Sequence, residues 1–130
     1  MGAKEKAAVL HASGFNCAQS VLGALGEYTS LEEKTALALA GGFGGGARCG
    51  ELCGAVSGGI LALGQAFPYT DGKDAAARAK INKMTGELTG AFKEQFGCLR
   101  CVDLKCSGHP CAELIAFSAG KTEELIQNDR

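Results

Sequence analysis

The sequence predicts an all-α fold, a single-domain helical bundle of five to six helices with a glycine-rich loop and a cysteine-rich loop. Its 130 residues suit one domain, so we assign residues 1–130 to a single unit. Ala is abundant, Val and Ile are sparse, and no stretch alternates between apolar and polar side chains. This pattern favours helix over strand, and a bundle is the usual arrangement of such helices.

Three helices are predicted in the first third of the chain, over residues 3–12, 17–28 and 31–40. Gly14 is a suitable C-cap residue for the first helix. Asn16 is a good N-cap for the second, because its side-chain oxygen can accept a bond from a free N–H of the first turn. Ser30 and Glu33 have the spacing of a capping box, which predicts the start of the third helix.

Three more helices are predicted in the rest of the chain, over residues 52–67, 73–96 and 111–127. Pro68 ends the first of these, since proline cannot continue a helix, and Gly97 ends the second. A glycine-rich loop covers residues 41–50, with six glycines in ten residues, and a cysteine-rich loop covers residues 98–110. So many glycines in one segment are incompatible with a stable helix.

A stripe of very small side chains runs along the helix predicted over 52–67. Gly54, Gly58, Ala62 and Ala66 recur at every fourth position, so they share one face of the helix. Such a face lets another backbone approach closely. We therefore expect a neighbouring helix to pack tightly against it.

Charge and composition exclude several classes of protein. Lys and Arg number 13 and Asp and Glu 14, so the net charge of −1 argues against nucleic-acid or anionic-membrane binding by bulk charge. The sequence has no secretory signal pattern, and its longest apolar run, Leu52–Phe67, is shorter than the ~20 residues of a membrane span. We expect a cytoplasmic protein.

Cysteine is the residue that demands a chemical explanation. The seven cysteines are Cys17, Cys49, Cys53, Cys98, Cys101, Cys106 and Cys111. In a reducing cytoplasm so many cysteines indicate metal or redox chemistry rather than a disulfide scaffold, and disulfides alone would leave one thiol over. Cys17, Cys53 and Cys111 fall at predicted helix N-termini, where the helix dipole favours the thiolate form.

The two closest cysteine pairs are Cys49 with Cys53 and Cys98 with Cys101. The second pair is a CxxC motif, which is a half-site for zinc, for an iron–sulfur cluster or for a dithiol. The interval between the pairs is too long for a compact zinc ribbon, and the CxxCxxC spacing of bacterial ferredoxins is missing. A thioredoxin fold is disfavoured because no βαβ pattern surrounds the second pair.

The glycine-rich loop and the two histidines are further candidate functional elements. Residues 42–47 fit a loose dinucleotide fingerprint, but a helix rather than a strand precedes them, so we expect no nucleotide cofactor. We expect this loop to bring backbone N–H groups near Cys49 and Cys53. His109 is a candidate ligand or proton carrier, although a loop position without a chemical role suits it better; His11 is expected at the surface.

The chain resembles the redox-active family named C_GCAxxG_C_C. The resemblance rests on a CGAxxG block at Cys53–Gly58, the Asn16–Gln19 segment (NCAQ), the glycine-rich stretch and Phe96–Gly97. It covers nearly the whole chain, from Gly14 to the last helix. The combination is specific, whereas the CGAxxG block alone would be weak.

The resemblance implies four recurrent cysteines, here named the core cysteines: Cys17, Cys53, Cys101 and Cys111. It leaves Cys49, Cys98 and Cys106 as additional cysteines of this chain, which we treat as accessory candidates together with His109. A related domain in split-Soret cytochromes implies electron transfer through a non-haem iron–sulfur centre. The chain has no CxxCH motif, so haem is not implied.

Three functions remain open from the sequence. The first is electron transfer by a four-cysteine iron–sulfur cluster of [2Fe–2S] type; the second is metal-free thiol–disulfide exchange; the third is a structural Cys₄ zinc site in an interaction module. An electron carrier or oxidoreductase component fits better than a stand-alone enzyme. The expected partner is a redox protein rather than nucleic acid or membrane, and a homodimer is left open.

Overall fold

A computed structural model describes residues 1–129 of the chain, and the prediction of an all-α fold is confirmed. Its eight helices are α1 (Ala3–Ala12), α2 (Cys17–Ala24), α3 (Gly26–Thr29), α4 (Glu33–Ala40), α5 (Gly54–Ala66), α6 (Ala75–Phe96), α7 (Cys101–Cys106) and α8 (Cys111–Asn128). In this described range the only strand-like pairing is an isolated antiparallel bridge between Leu52 and Arg100. No described helix combines the length and apolarity needed to cross a membrane.

Helix α2 lies at the centre of the bundle, packed against α5, α1, α4 and α8. Its apolar side chains join one continuous core with those of α5, α6 and α8. The largest side chains that are fully buried include Leu22, Leu25, Leu63, Leu88, Phe92, Ile115 and Ile126. Burial of such side chains is the main stabilising contribution, at about 1.5–3 kcal/mol for each one.

The stripe of small residues on α5 makes the close helix contact that the sequence predicts. A Cβ atom on Gly58 would lie 2.6 Å from the carbonyl oxygen of Ala18, and one on Gly54 would lie 3.2 Å from the Ala18 nitrogen. Both distances are shorter than ordinary van der Waals contact. The two glycines therefore allow the backbones of α5 and α2 to touch.

Two predictions about the early helices are wrong in detail. The helix predicted over 17–28 is interrupted at Leu25, whose φ of −102° and ψ of 19° separate α2 from α3. Ser30 does not begin the next helix: it ends α3 in the left-handed conformation, with a φ of 59°. The capping box is instead formed by Asn16 and Gln19, each of which binds the other's backbone N–H.

The segment predicted as a cysteine-rich loop over 98–110 contains a short helix, α7. Cys101 is its first residue and Cys106 its last. The glycine-rich segment contains a 3₁₀ turn over Gly41–Phe43 and then an irregular turn over Gly46–Gly50. In that turn even Ala47 and Arg48 have positive φ angles, of 59° and 63°, a conformation that costs about 1–2 kcal/mol for each residue other than glycine.

Candidate functional site

The four core cysteines line a single cavity of about 110 Å³. They reach it from four different elements: the first turns of α2, α7 and α8, and the residue that precedes α5. The rest of the lining is formed by His11, Asn16, Gly45, Gly54, Lys105 and Leu114. The structure thus brings together four thiols that are up to 94 positions apart in the sequence (111 − 17 = 94).

Backbone pairing between two segments fixes Cys53 beside Cys101. The N–H of Cys53 donates to the carbonyl of Leu99 at 2.9 Å, and the N–H of Cys101 donates to the carbonyl of Glu51 at 2.6 Å. These bonds lie on either side of the Leu52–Arg100 bridge. The pairing anchors the entry to α5 against the entry to α7, so the two buried thiols are held by main chain.

Glycines make room for the thiols on the other wall of the cavity. A Cβ on Gly46 would lie 2.7 Å from the Cβ of Cys101, and a Cβ on Gly54 would lie 3.3 Å from the Cβ of Cys17. Gly46 also has a φ of 64°, which side chains other than glycine's rarely adopt. The backbone of the glycine-rich segment therefore lies against Cys101 as well as near Cys49, whose thiol is 3.4 Å from the carbonyl oxygen of Gly46.

Burial is the largest cause that raises the pKa of Cys17 to about 12, and charge repulsion from the neighbouring thiols of Cys111, Cys53 and Cys101 contributes to the same rise. A hydrogen bond between Cys17 and Cys111 also favours the protonated form. Burial likewise raises the pKa of Cys53. The amides of Ala55 and Val56 favour its thiolate, but neither makes a full capping hydrogen bond.

The expectation that helix N-termini favour thiolate is therefore wrong for Cys17 and Cys53. Removal of the charged form from water outweighs the helix dipole at both positions. All seven cysteines are free thiols in the structure. Within residues 1–129, no three Cys, His, Asp or Glu side chains are arranged to hold a single metal ion.

The accessory candidates do not line the cavity. Cys49 is exposed and its thiol donates to the carbonyl of Gly46 at 3.4 Å, while Cys106 is exposed at the end of α7. Cys98 is half-buried against the core. The ring of His109 packs edge-on against Phe96, with centroids 5.3 Å apart.

Sequence reasoning placed His11 at the surface, yet it lines the cysteine cavity. Its Nδ1 is 3.2 Å from the carbonyl oxygen of Phe15, which can only accept, so Nδ1 carries the proton of this bond. Lys105 was also missed as a lining residue. Neither position has a local sequence signal, because the cavity is assembled from elements far apart in the chain.

A larger groove of about 470 Å³ lies between α6 and α8 and is lined mainly by charged side chains, without cysteine or histidine. It offers no group with redox chemistry. The cysteine cavity is smaller, but it collects the side chains able to exchange electrons or bind soft metals. The cysteine cavity is therefore the candidate functional site.

Comparison with known protein families identifies the class of protein. The family model described as "Putative redox-active protein (C_GCAxxG_C_C)" matches residues 15–125. The chain belongs to this family of redox-active proteins, as the resemblance implied. Neither the curated proteins nor the solved structures include a significant match.

Proposed function

We propose that this chain is an electron-transfer protein whose core cysteines hold an iron–sulfur cluster of [2Fe–2S] type. The observation that carries the proposal is the convergence of four thiols, from four separate elements, on one small cavity. Cys₄ ligation is the usual way in which proteins bind such a cluster. If the four core cysteines served only as small hydrophobic residues in the core, they would not need to line the same cavity.

The thiols would have to lose their protons to bind a positively charged occupant. Burial and mutual repulsion raise the pKa of Cys17 to about 12, and burial raises that of Cys53. Such thiols are poor nucleophiles at neutral pH. Iron would offset the repulsion among thiolates, and its binding would release their protons.

The protein's own groups would protect and hold the centre. Buried Leu114 lines the cavity together with Gly45 and Gly54, and these residues limit the access of water. The paired segments around Cys53 and Cys101 keep two thiols fixed, while the capped start of α2 fixes Cys17. When bound, an iron–sulfur cluster supplies one-electron transfer at a potential set by charge, hydrogen bonds and solvent exposure.

A structural zinc site is supported less well. Zinc takes four ligands at one point, with Zn–S distances of about 2.3 Å. The described side chains would have to draw together to hold a single ion. A two-iron cluster would divide the four thiolates between two irons. The four sulfur atoms would therefore not have to meet at one point, as they would around a single zinc ion.

Metal-free thiol–disulfide exchange is the second candidate, favoured by the hydrogen bond between Cys17 and Cys111. In that reaction the two thiols would lose two protons and two electrons to an oxidised partner disulfide, and would join in one S–S bond. The raised pKa of Cys17 counts against it, because thiolate is the attacking species.

The proposal places the chain among electron carriers or oxidoreductase components, working with a protein redox partner in a reducing compartment such as the cytoplasm. The test is anaerobic purification followed by iron, sulfide and zinc analysis and a visible spectrum. We expect about two irons and two sulfides per chain with visible absorbance. A colourless chain with redox-active thiols would support the second candidate, and one zinc per chain would support the structural site.

A further inference from the structure

The cavity opens between two short segments. Gly45, from the glycine-rich segment, and Lys105, from α7, both line it. The two segments touch, because a Cβ on Gly50 would lie 3.3 Å from the Cβ of Val102. Gly45 and Lys105 are exposed, whereas the rest of the lining is buried or half-buried, so electrons would enter or leave most directly here.

Two large apolar side chains are exposed on these segments. Phe43 is 38% exposed and Val102 is 41% exposed. Val102 and Lys105 are three positions apart on α7 and so share a face of that helix. Together with Arg48 they define what we name the cavity rim: Phe43, Arg48, Val102 and Lys105.

The rim carries positive charge that no carboxylate offsets directly. Within the described range, neither Arg48 nor Lys105 forms an ion pair, and Arg48 only donates to the carbonyl of Gly41 at 3.2 Å. The adjacent Arg100 differs, because it binds two carboxylates, Glu51 at 3.1 Å and Asp103 at 3.4 Å.

Arg100, Glu51 and Asp103 form a neighbouring group with a net charge of −1, but none of the three lines the cavity. Of the rim residues only Lys105 lines the cavity. Arg48 and Lys105 (+2) counted together with this group (−1) leave the surface with a net charge of +1, in a chain whose net charge is −1. Exposed apolar side chains bordered by cations are suited to a transient contact steered by charge.

We propose that the cavity rim is the docking surface for a one-electron carrier protein with an acidic contact surface. The inference rests on the proposed function. Arg48 and Lys105 would attract the partner's carboxylates, while Phe43 and Val102 would contact its apolar centre. One electron passes from the partner's prosthetic group to the four-cysteine centre. The prosthetic group is thereby oxidised by one electron, and the four-cysteine centre is reduced by one electron. No bond or proton is exchanged.

The first test uses small redox reagents on the reduced, iron-loaded full chain. Stopped-flow rates are measured at 0.1 M ionic strength with ferricyanide, an anion, and with tris(phenanthroline)cobalt(III), a cation; each takes one electron. The rim variant Arg48→Glu/Lys105→Glu is compared with Arg78→Glu/Lys83→Glu, which makes the same charge change on exposed residues of α6. The Debye length is about 10 Å under these conditions, so only local charges act strongly.

We expect the rim variant to react at least about tenfold more slowly with ferricyanide and faster with the cobalt complex. The α6 variant should change either rate less than about twofold. Equal effects of the two variants would overturn the proposal. Iron per chain is measured throughout, and if charge reversal lowers it, Arg48→Gln/Lys105→Gln is compared with Arg78→Gln/Lys83→Gln instead.

The second test uses a protein probe, reduced acidic flavodoxin, as the electron donor. For the wild type the second-order rate constant should fall as salt rises, and the rim variant should lose both rate and salt dependence. An unchanged rate refutes the docking surface alone, whereas a wild type without iron refutes the proposed function as well. A wild-type dimer that dissociates in the rim variant would instead assign this surface to self-association.

Discussion

Replacement of Gly58 by Ala should destabilise the bundle even though alanine is the better helix former. The new Cβ would lie 2.6 Å from the carbonyl oxygen of Ala18 and 3.0 Å from the Cβ of Val21. The first neighbour is backbone, so α2 or α5 must move. Overpacking of this kind costs about 1–3 kcal/mol, against a helix-propensity gain of about 1 kcal/mol.

Gly64 supplies the matched control within the same helix. A Cβ there meets nothing within 4 Å, so Gly64→Ala retains only the propensity gain and should raise the free energy of unfolding by about 0.5–1 kcal/mol. Gly58→Ala should lower it by up to about 2 kcal/mol, the difference between the overpacking cost and the propensity gain.

Urea unfolding followed by circular dichroism measures both variants on the apo chain. Because α2 begins with Cys17 and α5 follows Cys53, the displacement should also reduce iron retention in Gly58→Ala and leave it intact in Gly64→Ala. A Gly58→Ala chain that gains as much stability as Gly64→Ala would refute the close α2–α5 contact.

Four further results are expected. Alkylation of apo Cys17 at pH 7 should be about a thousand-fold slower than that of a cysteine peptide, because a pKa of about 12 against 9.0 lowers the thiolate fraction by three powers of ten. Peptide mass spectrometry should show the rate of Cys17 alkylation rising with pH towards 12. The raised pKa of Cys17 also predicts lower folding stability above pH 9, because there the Cys17 thiol loses its proton in the unfolded chain before it does so in the folded one. Ala47→Gly should stabilise the apo chain by about 1 kcal/mol in urea unfolding by relieving a φ of 59°; no gain would contradict the strain. Asn16→Ala should cost about 1 kcal/mol through loss of the capping box with Gln19, and an unchanged unfolding midpoint would count against that cap.

Helix boundaries were predictable where a strong local signal had no competitor. α1 spans the predicted residues, and α8 begins at the predicted Cys111. The Ser30–Glu33 signal failed because α3 ends at Ser30 in a left-handed conformation, which removes that residue from the start of a new helix. α7 was missed because six residues give too little periodicity to be distinguished from a loop.

The convergence of the core cysteines followed from the family resemblance and from their positions at helix ends. The pKa of Cys17 could not be foreseen in the same way. A helix N-terminus contributes about 0.3–1 kcal/mol, less than one pKa unit, whereas burial depends on how distant elements close over the thiol. His11 was missed for the same reason, since its cavity is completed by residues from α2, α7 and α8.

The most direct test of the central claim compares Cys53→Ser with Cys106→Ser in anaerobically purified protein. Cys53 is buried and lines the cavity, whereas Cys106 is exposed and lies outside it, and serine is a much poorer ligand for soft metals than cysteine. Iron per chain and visible absorbance should be lost in Cys53→Ser and retained in Cys106→Ser. Equal losses, or a loss in Cys106→Ser alone, would contradict the assignment of the core cysteines to one redox centre.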